Sequence, residues 1–278
     1  MISSDVFALL GGAGAGFLGA LVGIGGGVFL VPLLDGLLGL SFSEARGVSL
    51  IGVLGTSSSA AMAPTGRRLV NPRLAIVLLL FSVTGATLGA RFLGLFTERT
   101  YEVMFGVTTA IVAALMLSRR NIRNVLPAGT TDLGMFGGRM HDDDQACEVT
   151  YRLKRLPVAA GVSFLAGVLA SFIGVGGGII IVPLLSGILR MPLKRALGTS
   201  LLAIVALVIP GTIVHAALGH IDWAIFAALT LGAVPGARIG ARLALGTRER
   251  TLRLLVGSFL LVVAVVYGAG EVVRLVRG

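Results

Sequence analysis

Val22-Gly-Ile-Gly-Gly-Gly-Val-Phe-Leu-Val-Pro-Leu-Leu34 returns as Ile173-Gly-Val-Gly-Gly-Gly-Ile-Ile-Ile-Val-Pro-Leu-Leu185, and this doubled block decides the architecture. One ungapped shift of 151 residues, from Val22 to Ile173, carries the correspondence outward. It pairs Ala45, Gly47, Ser49 and Leu50 with Ala196, Gly198, Ser200 and Leu201, and Gly85-Ala86 with Gly236-Ala237. It also pairs Gly89-Ala90-Arg91 with Gly240-Ala241-Arg242, Glu98 with Glu249 and Gly106 with Gly257. The chain is therefore two copies of one ancestral fold.

The class of that fold follows from composition. Of 278 residues, 55% are hydrophobic and only 13% charged, with a mean hydropathy of +0.97; soluble domains carry about 25% charged residues. Residues 48–66 and 201–221 lack any Asp, Glu, Lys or Arg, and each is long enough as a helix to cross about 30 Å of hydrocarbon. The 41 glycines suit closely packed membrane helices, with Gly12/Gly16 and Gly19/Gly23 as candidate packing faces. The expected fold class is all-α, a polytopic membrane protein of two homologous, inverted-topology repeats with discontinuous or re-entrant helices at the glycine breaks. Met1 to Asp5 carry no Lys or Arg, so the first helix reads as retained rather than as a signal peptide. The expected location is a lipid bilayer, crossed several times.

Residues 1–118 form the first transmembrane repeat, 119–156 a polar cytoplasmic linker and 157–278 the second repeat. Each repeat reads as five apolar pieces: 6–22, 27–40, 46–64, 74–95 and 101–118, then 157–173, 178–189, 196–217, 223–245 and 252–270. The second piece of each is short for a crossing, so the first two pieces form either a re-entrant hairpin or two tilted spans, giving six or ten crossings in all. The linker contains Gly137-Gly138 and His141-Asp-Asp-Asp144, with room for a short hairpin between Met135 and Leu153.

Lys and Arg collect on cytoplasmic loops, and this orients the halves. Inverted halves put sixteen of these residues inside and only Arg46, Arg99, Arg274 and Arg277 outside, whereas parallel halves split the same residues twelve to eight. The inverted arrangement wins. The basic balance of +10 thus reports topology, and nucleic acid is excluded as a partner.

The breaks are the candidate site. Gly25, Gly26 and Gly27 precede Pro32, and Gly176, Gly177 and Gly178 precede Pro183. Such runs let the backbone turn sharply, and the helix that restarts offers bare N–H groups and a positive dipole end to an anion. Tight packing is the competing use of the same glycines. Thr56, Ser57, Ser49, Thr199 and Ser200 are candidate ligands from the following helices, while Ser58 and Ser59 read as helix glue. Arg91, Arg238 and Arg242 lie in apolar pieces, where a cation is costly and usually meets a cavity or partner. Arg91 and Arg242 stand near helix ends and are expected to snorkel; Arg238 lies deeper, by roughly 10 Å. Asp35 and Asp222 read as interfacial and His215 as a partly solvated helix-end residue, and these three alone do not make a proton relay.

Two patterns are set aside. Gly14-Ala-Gly-Phe-Leu-Gly19 fits a dinucleotide fingerprint without a βαβ unit around it, and His141 to Asp144 reads as a solvated loop rather than a metal site. The single Cys147 forms no intramolecular disulfide. His141, His215, His220 and Cys147 are too scattered for a catalytic cluster, so no enzyme is expected, nor any cofactor or metal.

The tandem Gly-x-Gly-Gly-Gly-x-x-x-Val-Pro-Leu-Leu blocks, Ala196-Leu-Gly-Thr-Ser-Leu201 and Tyr151-Arg-Leu-Lys-Arg-Leu-Pro157 resemble the sulfite exporter TauE/SafE family from about Ala15 to Gly270. The resemblance implies transport of sulfite, sulfoacetate or related sulfur-containing anions, and a multi-pass location in the bacterial inner membrane. Val48 stands where the second half has Thr199, so the site is expected to be asymmetric. The function expected is secondary transport by alternating access, with a passive anion channel or a permease for a different small anion as alternatives. Expected partners are a small anionic substrate and the lipid bilayer, with protons as one coupling ion and a homodimer as an open arrangement. A reporter fused after Gly278 is expected to appear outside the cell; a cytoplasmic signal overturns the inverted arrangement.

Overall fold

The computed structural model describes residues 2–66, 69–118, 125–126, 137–142, 147–151, 153 and 156–277. Helix α1 (Ile2–Val22) leads through the first glycine block into α2 (Gly27–Pro32), which continues as a π-helical turn over Leu33–Leu37. There follow α3 (Phe42–Gly66), α4 (Pro72–Arg91) and α5 (Glu98–Ser118). The second half repeats this order: α6 (Leu156–Ile173), α7 (Gly178–Pro183) with its own π turn Leu184–Ile188, α8 (Leu193–Ala217), α9 (Trp223–Gly246) and α10 (Glu249–Arg277). Both π turns follow the proline. Proline donates no hydrogen bond and crowds the carbonyl four residues back, so the turn widens; Leu38 N–H then bonds Leu33 O and Leu189 N–H bonds Leu184 O, five residues back.

Among the described residues six helices are long and apolar enough to span a bilayer, within α4, α5, α6, α8, α9 and α10. Shorter apolar helices run Val6–Val22, Gly27–Leu37 and Gly178–Ile188. Helix α3 falls outside both groups because its glycines and the hydroxyl run Thr56 to Ser59 dilute its apolar residues. Its polarity is tolerated because it is enclosed by α2, α8 and α9.

The halves interlock rather than sit side by side. Helix α1 packs along α9, and its counterpart α6 packs along α4; α3 meets α9 as α8 meets α4, and α5 pairs with α10. Glycine makes the first two contacts close. A side chain at Gly12 or Gly16 would overlap the carbonyls of Leu229 or Ala233, and one at Gly236 or Gly240 those of Ala13 or Phe17. The other half repeats the device with Gly85 and Gly89 on the carbonyls of Phe164 and Val168. Bare backbones in contact maximise dispersion where lipid offers no hydrophobic drive.

Between the halves lies a small sheet in the order β1-β3-β2, of Val125–Leu126, Gly138–Asp142 and Cys147–Tyr151. Strands β2 and β3 pair antiparallel, with His141 opposite Glu148. Asp143 and Asp144 of the polar linker lie outside the described residues, and His141 and Asp142 are described in backbone only.

Two expectations need correcting. Arg46 is not a loop residue, because α3 begins at Phe42 rather than 46. Ser41 and Glu44 form a reciprocal cap, the Ser41 N–H on Glu44 Oε2 at 3.0 Å and the Glu44 N–H on Ser41 Oγ at 3.3 Å, which starts the helix four residues early. His215, expected to be partly solvated, is fully buried because α8 places it against the α6 terminus. The glycine contacts generate a test. Gly16→Ala or Gly85→Ala should destabilise the protein in detergent by about 1 to 3 kcal/mol through overpacking. Gly14→Ala, with nothing within 4 Å of the added carbon, should leave the melting temperature unchanged or raise it.

Candidate functional site

The chain reverses at each glycine block on left-handed residues: Gly23, Gly25 and Gly26 with φ of 73°, 84° and 95°, and Gly174, Gly176 and Gly177 with 78°, 78° and 70°. Only glycine occupies that region without penalty. Gly27 and Gly178 serve differently. A Cβ on Gly27 would lie 2.5 Å from Val175 O, and one on Gly178 would lie 2.5 Å from Ile24 O. Under the repeat shift these are the same contact seen from each side, so the two breaks touch one another.

A restarting helix leaves its first N–H groups without carbonyl partners. Here the N–H groups of Gly26, Gly27 and Val28, and those of Gly177, Gly178 and Ile179, make no hydrogen bond among the described residues. All six residues are buried. The carbonyls at the restart are used: Gly26 O accepts from Phe29 and Leu30, and Gly177 O from Ile180 and Ile181. Each restart thus holds bare donors at its positive end, with a carbonyl of the opposite break, Val175 O or Ile24 O, lying against its Gly27 or Gly178.

The predicted hydroxyls divide by task. Ser49 Oγ donates to Gly174 O at 2.9 Å, and Ser200 Oγ donates to Gly23 O at 3.0 Å. Each half therefore braces the other half's break. Thr56 donates to the carbonyls of Gly25 and Gly52. Ser57 Oγ is buried, lies beside Gly25 and has no hydrogen-bond partner. Thr199 sits elsewhere, accepting from Asn71 N–H at 3.1 Å beside the α4 N-cap. Ser58 and Ser59 bond the carbonyls of Leu54 and Val234.

None of the three predicted arginines reaches the breaks. Arg91, Arg238 and Arg242 all lie on exposed faces. Each stands two residues from a packing glycine, Arg91 from Gly89, Arg238 and Arg242 from Gly240, and two residues turn a helix by about 200°. The buried face belongs to glycine, so the arginines point away.

A different cation takes the inner position. Arg46 is 2% exposed, and its stem lies against Gly174, where a Cβ would sit 2.6 Å from Arg46 Cβ. Its guanidinium donates to Phe172 O at 2.7 Å and Ser43 Oγ at 3.0 Å, and covers the Tyr101 ring at 4.0 Å. Nε has no partner. Aromatic faces and a helix-end carbonyl replace the hydration a buried guanidinium loses. The 151-residue shift places Leu197 at this position in the first break, over Gly23, so Arg46 makes the site asymmetric.

Beside Arg46 the Nδ1 atoms of His215 and His220 stand 3.1 Å apart, with His215 Nε2 buried and unpartnered. One ring must donate and the other accept. His220, in the loop before α9, has its pKa lowered chiefly by burial, then by the charge of Arg46, with Glu44 and Glu98 opposing. Asp222 instead caps α9, accepting from Ala224 and Ile225. Asp35 accepts from the Tyr267 hydroxyl at 3.3 Å. Among the described residues no His, Cys, Asp or Glu gather in groups that would hold a metal.

The profile of the sulfite exporter TauE/SafE family matches residues 8–267. The probable membrane transporter protein YunE of Bacillus subtilis (strain 168) is 27% identical over 256 residues, covering 90% of this chain and 92% of its own. A probable membrane transporter protein of Xylella fastidiosa (strain 9a5c) is 29% identical over 244 residues, 87% of this chain and 86% of its own. No solved structure matches the chain.

The crossed serines generate a test. Ser49→Ala or Ser200→Ala should each lower stability in detergent by about 0.5 to 1.5 kcal/mol, because a buried carbonyl loses its donor. Ser58→Ala, on the exposed side, should change stability by less than about 0.5 kcal/mol.

Proposed function

The chain belongs to the sulfite exporter TauE/SafE family and is a membrane transporter, and from that premise we propose that it carries small sulfur-containing anions, sulfite, sulfoacetate or related organosulfonates, by alternating access. The observation that carries this reading is the pair of touching breaks with six buried N–H groups that have no partner among the described residues. Two helix ends contribute roughly half a positive charge each, and Arg46 adds a full one beside Gly174. A compact oxyanion has the acceptor lone pairs that such donors need, and Ser57 Oγ supplies a further hydroxyl. A neutral acceptor would leave the positive charge uncompensated, and a cation would be repelled by it.

The halves are inverted in this reading, with each glycine break at the tip of a re-entrant pair. Reciprocal packing of α1 on α9 and α6 on α4 supports a pseudo-two-fold relation, and the distribution of Lys and Arg supports its direction. Rocking of one half against the other would open the breaks to alternate sides. The crossed Ser49 and Ser200 bonds then break or hold together, since each spans the two halves. Protons are the coupling ion: His215 and His220 share one hydrogen bond when both are neutral, and a further proton removes it, with Arg46 opposing and Glu44 and Glu98 favouring that charge.

The test is uptake by the purified protein in vesicles, using sulfite, sulfoacetate, thiosulfate and sulfate. Saturable uptake of a sulfur oxyanion should fall at least tenfold in Gly177→Leu, where a side chain meets φ of 70° and the Leu207 side chain. Folded protein that moves none of the four overturns the substrate class. An imposed pH gradient should drive flux increasingly as the pH falls below the ordinary imidazole range, because the His220 pKa is lowered. His220→Gln should flatten that dependence, and an unaltered profile would remove protons from the mechanism.

A further inference from the structure

Duplication gives each packing position an internal control. In the first half the space between α2 and α10 is filled: Phe29 stacks on Phe259 with ring centroids 4.1 Å apart, and Tyr267 bonds Asp35. Gly11 lets Leu33 seat directly against α1. The repeat shift converts these residues into Ile180, Thr108, Met116, Ser186, Val162 and Leu184. No ring and no tyrosine–carboxylate bond remain, and Val162 stands where glycine admitted the leucine.

The second half is hollow there. A cavity of about 260 Å³ lies between α5, α6 and α7, lined by Ile180, Thr108, Met116, Val162 and Leu184 together with further apolar residues, and by no charged side chain. Its inner wall includes Val112, Met116 and Leu184, all nearly inaccessible, while Ile111 and Leu165 at its rim are 56% and 58% exposed. Ser186, the one serine of the wall, already donates to Val182 O at 2.8 Å. Water is a poor occupant of such a space; apolar cavities of about 150 Å³ stay dry and accept benzene. An empty one forfeits dispersion contacts along its whole lining.

We propose that this cavity is a lipid site, in which one acyl chain of a bilayer phospholipid enters past Ile111 and Leu165 and takes the place that the Phe29–Phe259 stack fills in the first half. The rim opens on helices α5 and α6, both of which are long and apolar enough to span the bilayer, so the surrounding solvent at that face is hydrocarbon chain. The broken helix of the first half is then braced by protein, and that of the second half by lipid.

The experiment uses the full chain in vesicles of phosphatidylethanolamine and phosphatidylglycerol containing a few per cent of a phospholipid with a photoreactive diazirine on its acyl chain. After irradiation, labelled residues are mapped by mass spectrometry. Labelling should reach Val112, Met116 or Leu184, which lipid on the outer surface cannot touch. The double substitution Thr108→Phe with Ile180→Phe, which rebuilds the twin's stack, should reduce labelling of those residues at least tenfold while Ile111 and Leu165 stay labelled. Inner residues unlabelled in the native chain overturn the proposal, and that measurement stands even if the double variant does not fold. Undiminished labelling in a folded variant overturns it as well, as does labelling by a diazirine fatty acid that phospholipid does not reproduce.

Discussion

Hydrocarbon does not hydrogen-bond, so every peptide N–H placed within a bilayer must find a partner in the protein or be kept for something else. This chain spends most of its sequence meeting that demand with continuous helices, and suspends it at two places. The suspension is expensive. It is possible because the two breaks share one enclosure, each pressed against the other through Gly27 and Gly178, with carbonyls claimed by hydroxyls from the opposite half. Remove either break and the other loses its wall. The rest of the fold is the scaffold that lets two bare backbone turns meet.

That scaffold also explains where charge is permitted. Arg46 is buried one side chain away from Gly174 with aromatic rings and a helix-end carbonyl around it, whereas Leu197 holds the matching place over Gly23. The two breaks share one backbone course, and the residue laid over it is a cation in one and a leucine in the other. The difference between halves is confined to side chains laid over a common backbone, and so are the filled and hollow spaces behind α2 and α7.

Much of the fold was legible in the sequence. The shift of 151 residues located the breaks and all ten apolar pieces, because glycine, proline and hydropathy act locally. What escaped was direction around a helix and the reach of caps. Depth along α9 made Arg238 a candidate, but depth says nothing of azimuth, and the two-residue offset from Gly236 and from Gly240 turns it outward. Counting loop charges places Arg46 outside the helices, because the uncharged run of α3 follows it in the sequence. Ser41-Phe-Ser-Glu44 spells the cap that moves the boundary, and the pairing of Arg46 with a leucine in the repeat marks it as an inner position. Ser49 and Ser200 were found by their matched places, though not their crossed bonds, since only the fold shows that each reaches the other half. His215 was read as solvated because nothing local reveals that the α6 terminus covers it.

The interlocking of α1 with α9 bears on how such a chain is made. Helix α1 carries a glycine face whose mate, the carbonyls of Leu229 and Ala233, is synthesised more than two hundred residues later. Until then that face lacks its mate, and the first glycine break lacks the Val175 backbone that closes it. Neither break is closed by its own half, so the enclosure needs both halves in place. The enclosure at the breaks is thus a property of the whole chain, and neither half can build it alone.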